Sequence, residues 1–332
     1  MQQPSEFLSP SKDGFVVFFF RSTTQPPRDE EMPSNKEIRE SITHQLIKAM
    51  EMGTVPWRRP WKRSPNSGRS ANIASGKAYR GINPILLQLH QAAHGLNSKW
   101  WGTYQQWKSL GCTVMKRPAH VANGKWGCPI VFYKPLIKRV VKDGEEEKQE
   151  FFLMRTFTVF NADQVVGAEK WQVQEETQES LFDTYEPAEG LIRATGAKIE
   201  VGGSDAFYAP ATDTIHMPHQ STFTPPVAYY HTVFHELAHW TEKRLDCVRN
   251  EADSYAFFEL VAELTSTYVA QDVGVPGGES LDNHAAYLKH WLSHMKNDSN
   301  YIFKATQQAS KATDYLLSFV GKTEAVLEEA AV

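Results

Sequence analysis

The segment His231-Thr-Val-Phe-His-Glu-Leu-Ala-His-Trp240 contains the pattern His-Glu-x-x-His at positions 235–239. If the segment is helical, the two imidazoles lie one turn apart on one face, where both can bind a single metal ion. Glu236 then lies beside that ion and can take a proton from a water molecule held there. Two histidines and a carboxylate in this arrangement are typical of zincin metallopeptidases, and they predict a Zn²⁺ site.

The residues before and within this segment favour a helix. Thr224 is a suitable N-cap, and Pro225 and Pro226 suit a first turn. The apolar positions of the helix are Val233, Phe234, Leu237, Ala238 and Trp240.

A second apolar segment, at 255–264, predicts another helix that completes the site. Glu259 lies twenty residues beyond His239, and Glu263 lies four residues further on. We expect Glu259 to be the third metal ligand and Glu263 to orient a ligand histidine through its other ring nitrogen. Two histidines and a carboxylate also suit Mn²⁺ or another divalent ion, so these metals remain alternatives to zinc.

The composition is that of an ordinary soluble protein. The chain has 332 residues, of which 41% are hydrophobic and 22% are charged, and this length suggests about two domains. The apolar run at 15–20 is too short to span a bilayer, and we identify no secretory signal around it. Three separated cysteines form no Cys-x-x-Cys pair, which fits reduced thiols. We therefore expect a cytoplasmic protein without a membrane partner.

Charge is distributed unevenly along the chain. Residues 33–140 contain 18 Lys or Arg and three Asp or Glu, whereas residues 141–332 contain 14 and 31. The net charges of these two parts are therefore +15 and −17. A solvated surface normally mixes both signs. This asymmetry predicts a polyanionic partner for the first half only.

Aromatic residues alternate with cations in the basic half, at 56–63 and again at 76–83. Cations neutralise phosphates, and flat rings accept unstacked bases, so this pattern predicts single-stranded DNA binding. The alternative is that the tryptophans belong to the core. The candidate DNA-binding residues are Trp57, Arg58, Arg59, Trp61, Lys62, Arg63, Lys77, Tyr79, Arg80, Asn83 and Trp101.

The remaining patterns predict an α+β protein of two domains. Residues 1–32 are expected to be a flexible extension. Alternatively, residues 1–31 result from a start codon assigned upstream of the true one, at Met32. A capping box at 34–37 begins a helix, and a second capping-box pattern joins Thr103 to Gln106. Asn83, followed by proline, is expected to cap a further helix. Strands at 129–133 and 151–160 are expected to form a hairpin that finishes the first domain, 33–163.

The second half is expected to be mainly helical. A linker is expected at 164–190, followed by a metallopeptidase domain at 191–332. This domain should contain a small sheet whose strand, after a turn at 211–213, is an edge that aligns an extended peptide. His284 and Tyr287, in a later helix, are candidate donors to a developing oxyanion, although packing residues would have the same pattern.

These motifs together resemble the ArdC antirestriction family, which is related to the N-terminal part of plasmid TraC primases. The resemblance covers nearly all of 34–317, and its most specific motifs are Tyr79-Arg-Gly-Ile-Asn83, Trp101-Gly-Thr103, Phe234-His-Glu-Leu-Ala-His-Trp-Thr241 and Glu259-Leu-Val-Ala-Glu263. The resemblance implies an N-terminal single-stranded DNA-binding domain, a zincin-like metallopeptidase domain and protection of incoming DNA from restriction. By position, His235, Glu236 and His239 match the metal helix and Glu259 matches the acidic motif. Phe258 replaces a glutamate that is usual in the family.

Three classes of function are compatible with these patterns. The first is an antirestriction protein that binds single-stranded DNA and cleaves an unidentified protein substrate. A second is a single-stranded DNA-binding protein whose metal domain is structural or inactive. The third is a DNA-dependent protease for DNA–protein crosslinks. We favour the first, associated with conjugation and plasmid transfer.

Overall fold

The computed structural model describes residues 33–53, 55, 57, 64–142, 145–174, 185–245, 247, 255–277 and 285–330. For 134–152, 285–286 and 321–330 the description covers the backbone alone. The predicted extension at 1–32 lies outside these ranges. No helix within them is long and apolar enough to cross a membrane.

The first half combines three helices with a four-stranded sheet. Its elements are α1 (Asn35–Glu51), β1 (Ala71–Asn72), α2 (Asn83–His94), β2 (Trp100–Gly102), α3 (Tyr104–Ser109), β3 (Thr113–Val114), β4 (Cys128–Lys142), β5 (Glu145–Asn161) and β6 (Val165–Val166). The sheet order is β1-β2-β5-β4, and β4 pairs with β5 along its whole length as the predicted hairpin. Both predicted capping boxes are confirmed, at Ser34 before α1 and at Thr103 before α3.

The second half is mainly helical, as predicted. Its elements are α4 (Glu186–Thr195), β7 (Lys198–Val201), β8 (Phe207–Ala209), β9 (Thr214–Met217), α5 (Val227–Arg244), α6 (Tyr255–Asp272), α7 (Ala285–Asn297) and α8 (Tyr301–Ala330). The small sheet has the order β7-β9-β8. The strand after the predicted turn, β9, is therefore the central strand, and the edge beside it is β8.

Two predicted helix caps are wrong. The helix α5 begins after Pro226 without a side-chain cap, so Thr224 does not cap it. The N-cap of α2 is Ile82, and the side chain of Asn83 bonds elsewhere. Its amide donates to the carbonyl of Val131 and accepts from the N–H of Val131, both at 2.8 Å. Asn83 therefore fastens α2 to β4.

Residues just beyond the predicted end of the first domain pack against it. Val165–Val166 pairs antiparallel with Thr113–Val114, and Ala168 is buried beside Trp107. The first residues of the segment predicted to be a linker, 164–190, therefore pack with the first half.

Among the described residues, the largest of three hydrophobic clusters extends across both halves. Residues 34–332 form a single compact unit. The largest hydrophobic cluster joins side chains of α1 and α2 to side chains of α6, α7 and α8. Trp57, for example, packs against Trp291 with their ring centroids 6.1 Å apart.

Polar contacts add to this core. Arg69 pairs with Asp272 at 3.1 Å, and Gln88 donates to Gln271 at 3.1 Å. The backbone of Gly68 approaches α6 so closely that a Cβ atom there would lie 2.7 Å from the carbonyl oxygen of Gln271. Close packing of this kind holds Gly68, Arg69 and α2 against α6.

Candidate metal centre

Two histidines of the buried helix α5 face each other as the sequence predicts. His235 and His239 stand one turn apart, and their Nε2 atoms are 3.2 Å from each other. The surrounding helix is held in the core by Val233, Phe234 and Leu237, which are fully buried. The packing of α5 therefore fixes the positions from which both imidazoles project.

Glu259, on α6, completes a group of three ligand atoms. Its two carboxylate oxygens lie 3.4 Å from Nε2 of His235 and 3.4 Å from Nε2 of His239. Two ligands bound at about 2.05 Å in a tetrahedral zinc site are about 3.3 Å apart. The observed separations are close to this value, and they fit one ion bound between the two imidazoles and the carboxylate. Within the described residues, His235, His239 and Glu259 are the group identified as able to hold a metal.

The charges of these groups favour a cation at this position, and a metal ion bound there would displace a proton from His239. Burial raises the pKa of Glu259, but hydrogen bonds from the two histidines outweigh it and hold that pKa well below its usual range. Burial lowers the pKa of His239, but hydrogen bonds to Glu242 and Glu259 outweigh it and raise the pKa to about 9. Three donor groups with a net attraction for positive charge are thus already assembled.

Glu242 provides an orienting contact that the sequence reasoning missed. Its Oε1 atom lies 2.7 Å from Nδ1 of His239. A proton held on Nδ1 leaves the lone pair of Nε2 for a metal ion. The spacing of three residues on one helix could have revealed this pair. Glu263 was predicted for this kind of role, and it is buried one turn beyond Glu259.

Glu236 is buried beside the histidines, where a general base is required. Burial raises the pKa of Glu236, while His235, His239 and a hydrogen bond from the backbone of Tyr208 act in the opposite direction. The net shift is upward, which brings the carboxylate closer to the pKa range in which it can both accept and return a proton. Tyr208 belongs to β8, so the edge strand lies directly against the catalytic candidate.

A polar cluster fixes the turn between β8 and β9 to the end of α5. Arg244 donates two hydrogen bonds to the carboxylate of Asp213, at 3.1 Å and 2.7 Å. The hydroxyl of Tyr208 donates to the same carboxylate at 2.7 Å. The guanidinium of Arg244 also lies 3.5 Å from the centroid of the Trp240 ring. These contacts link the edge strand to the helix that carries the metal ligands.

A tyrosine pair lies beside Glu259. The hydroxyl of Tyr255 hydrogen-bonds with Glu259 and with Tyr287, and its ring is exposed. Tyr287, a predicted oxyanion donor, is therefore connected to a metal ligand through Tyr255, a residue that the sequence reasoning did not select. His284, the other predicted donor, lies outside the described residues.

The candidate DNA-binding residues are separated by the fold. Trp57 is 1% exposed and Trp101 is 0% exposed, so neither ring has a face open to a base. This corrects the prediction that they stack on DNA, and the alternative of core tryptophans holds for both. Burial of a tryptophan depends on distant partners, which no local pattern reveals.

The remaining members of this set differ in accessibility. Lys77 and Arg80 are exposed, and Arg80 pairs with Asp314 of α8. Tyr79 is partly buried, and its hydroxyl accepts a hydrogen bond from Asn72 at 3.1 Å. The side-chain amide of Asn83 is hydrogen-bonded to the backbone of Val131 in β4. Five predicted residues lie outside the described ranges: Arg58, Arg59, Trp61, Lys62 and Arg63.

Comparison with protein families assigns both halves of the chain. The model of the N-terminal domain of anti-restriction factor ArdC matches residues 36–160. A zincin-like metallopeptidase model matches residues 186–308, which contain the three metal-ligand candidates.

Several individual proteins are also similar. Two DNA primases TraC of Escherichia coli are each 34% identical, over 318 and 311 residues, and the chain spans 21% and 28% of their lengths. The protein y4eC of Sinorhizobium fredii is 34% identical over 291 residues, which are 84% of this chain and 91% of y4eC.

Solved structures of one protein resemble this fold. The metal-free antirestriction protein ArdC from plasmid R388 is 34% identical, with a TM-score of 0.70 over 86% of this chain and 98% of that one. Its Mn(II)-bound structure is 33% identical, with a TM-score of 0.64 over 85% and 98%. Because these similarities extend over nearly the whole of ArdC, the chain belongs to the ArdC antirestriction family and combines its N-terminal domain with a zincin-like metallopeptidase domain.

Proposed function

We propose that this protein binds single-stranded DNA through its basic half, carries a zinc-dependent metallopeptidase site in its acidic half, and protects incoming mobile-element DNA from restriction. The observation that carries the enzymatic part is the separation of 3.2 to 3.4 Å among the ligand atoms of His235, His239 and Glu259, with Glu236 beside them. A site of this geometry is the minimum that a zincin requires.

The chemistry assigns a separate role to each group. A divalent ion held by His235, His239 and Glu259 would polarise the peptide carbonyl and lower the pKa of a water molecule. Glu236 would accept a proton from the attacking water and return it to the leaving amine. The N–H of Tyr208 holds the carboxylate of Glu236 in position. Tyr287, with Tyr255 hydrogen-bonded to it, is the proposed donor to the oxyanion.

The edge strand supports an extended peptide as the protein substrate. β8 is the outer strand of its sheet, and Tyr208 within it contacts Glu236. A peptide added as a further strand beside β8 would pass close to the ligand group. We infer that the protein substrate binds in an extended conformation.

The excess of cations supports the DNA-binding part. Residues 33–140 contain 18 Lys or Arg against three Asp or Glu. Of the candidate residues that are described, Lys77 and Arg80 have exposed side chains suited to phosphate. Neutralisation of several phosphates predicts an affinity that falls steeply as salt rises.

The enzymatic part is tested by metal content and by cleavage. Metal content is measured in the purified protein, and cleavage of a denatured protein substrate is compared between wild type and Glu236→Gln, with and without single-stranded DNA. We expect Glu236→Gln to keep its metal and to lose cleavage. Full cleavage by Glu236→Gln would refute the assigned mechanism.

DNA binding is tested separately by fluorescence polarisation with single-stranded and duplex oligonucleotides at two salt concentrations. Equal affinity for both forms would refute single-strand selectivity. Protection of a transferred plasmid against a restriction enzyme is then compared in cells. Protection that persists in Glu236→Gln would indicate that DNA binding alone is sufficient, and that the metal domain has a structural role.

A further inference from the structure

Two exposed aromatic rings lie on the hairpin of the basic half. Phe132 of β4 is 54% exposed and Phe157 of β5 is 49% exposed. The register places Phe132 opposite Arg155, and Phe157 opposite Ile130, so the two phenylalanines are diagonal neighbours on the same face. Their ring centroids are 6.1 Å apart and their planes are inclined at 79°. We call Phe132, Phe157 and Arg155 the hairpin platform.

The burial of the tryptophans gives this pair its significance. Single-stranded DNA binding needs flat rings that are open to bases. Trp57 and Trp101 are in the core and cannot provide them. Among the described residues of the basic half, Phe132 and Phe157 are exposed rings that contact each other.

Charge around the platform favours a polyanion over an apolar partner. Residues 128–133 of β4, which include Phe132, contain no acidic residue. Residues 151–161 of β5 contain Arg155 as their one charged residue. Adjacent strands that combine aromatic rings with neighbouring cations are the arrangement by which sheets bind single-stranded nucleic acid.

The ring spacing also selects the form of the nucleic acid. Neighbouring nucleotides of a duplex strand are about 3.4 Å apart along the axis. Two successive bases that each contact one of these rings must therefore separate from one another. A single strand permits this separation, whereas a paired duplex resists it.

From these observations we infer that the hairpin platform is the base-stacking surface for single-stranded DNA, with bases on Phe132 and Phe157. This inference rests on the proposed DNA binding and names the surface responsible for it. Lys77 and Arg80 would then contact the backbone of the strand without determining its base contacts.

The test is polarisation binding of a labelled oligo(dT) to the full-length protein. Loss of one stacking ring costs about fivefold or more in affinity. We expect Phe132→Leu/Phe157→Leu to weaken binding at least about tenfold, with an unchanged dependence on salt because the phosphate contacts remain. The double variant Phe132→Tyr/Phe157→Tyr keeps both rings and should bind like wild type. Tyr104→Ala, at another exposed ring, is the matched control and should also bind like wild type.

The outcomes separate this inference from the proposed function. If wild type shows no single-stranded DNA binding, both are refuted. If wild type binds and the leucine variant binds equally well, the platform is refuted while DNA binding stands. Unchanged DNA affinity together with loss of self-association in sedimentation would assign the surface to a second copy of the chain.

A second measurement does not depend on the variants folding. An oligonucleotide containing 5-bromodeoxyuridine is photo-crosslinked to wild type, and the adducts are mapped by mass spectrometry. We expect adducts in the peptides that contain Phe132 or Phe157. Adducts confined to other peptides would overturn the assignment.

Discussion

Nδ1 of His239 lies 2.7 Å from Oε1 of Glu242, one turn further along the same helix. This contact fixes the proton on the side of the ring that faces away from Glu259. Because such partners typically contribute 10- to 100-fold to metal affinity, we expect Glu242→Ala to weaken Zn²⁺ binding by about that factor. Competition with a chromophoric chelator measures the change.

Lys243→Ala, at the next and exposed position of α5, provides the control and should bind Zn²⁺ like wild type. Glu263→Gln tests the second buried carboxylate in the same assay. Wild-type affinity in Glu242→Ala would show that His239 is oriented by other contacts.

The pairing of Arg244 with Asp213 should matter more for catalysis than for metal binding. Lysine cannot form the two parallel hydrogen bonds of the guanidinium. We expect Arg244→Lys to lose about 1 kcal/mol of unfolding free energy, since the pair is partly exposed. Zn²⁺ affinity should stay constant while cleavage falls, because the anchored strand carries the N–H that holds Glu236. A parallel loss of metal would contradict this separation of roles.

The approach of Gly68 to α6 predicts a large effect from one added methyl group. Gly68 has a φ of +106°, and a Cβ atom there would lie 2.7 Å from the backbone oxygen of Gln271. We expect Gly68→Ala to lower the unfolding free energy by about 3 kcal/mol or more, as measured by denaturant titration. Gly76→Ala is the matched control, since its φ is +68° with open space around it. It should lose only about 1 kcal/mol, which is the cost of the backbone conformation alone.

Asp272 should give the stability a distinctive pH dependence. Burial raises the pKa of Asp272 to about 6, against the opposing effect of Arg69. The folded protein therefore holds this proton more tightly than the unfolded chain, whose pKa is near 3.8. Stability from this group is present below the lower value and is lost as pH rises from about 4 to about 6, by on the order of 2 kcal/mol.

The variant Asp272→Asn removes this titration. Denaturant unfolding at several pH values should show that the difference between wild type and variant changes between pH 4 and pH 6 and is constant above pH 7. A constant difference throughout would contradict the raised pKa. The absolute stability of the variant is less informative, because Arg69 loses its partner in it.

The grouping of the candidate metal ligands could be predicted from the sequence because their relation is local. His235 and His239 need only a helix, and Glu259 lies on the next helix along the chain. Capping boxes at Ser34 and Thr103 are equally local and were predicted for the same reason. Glu242 was within reach of the same reasoning, since it lies three residues beyond His239.

The proposed DNA-binding surface could not be predicted in this way. Trp57 and Trp101 resemble stacking rings in sequence, yet their burial depends on partners such as Trp291, far along the chain. Asn83 has the pattern of a helix cap, but its side chain forms hydrogen bonds with the backbone of Val131 instead. In contrast, exposure of Phe132 follows from the position of the hairpin in the sheet, which becomes visible only once the strands are paired.

The core that Trp57 and Trp291 share also limits how this protein can be dissected. A cut between residues 160 and 186 would divide the two family regions neatly on paper, but it would leave each fragment with half of a common interior. Such fragments would be expected to aggregate, and their failure to bind or cleave would carry no information about either activity. Grafting one region onto an unrelated protein would meet the same obstacle. The roles of the two regions are therefore best separated by point substitutions in the intact chain.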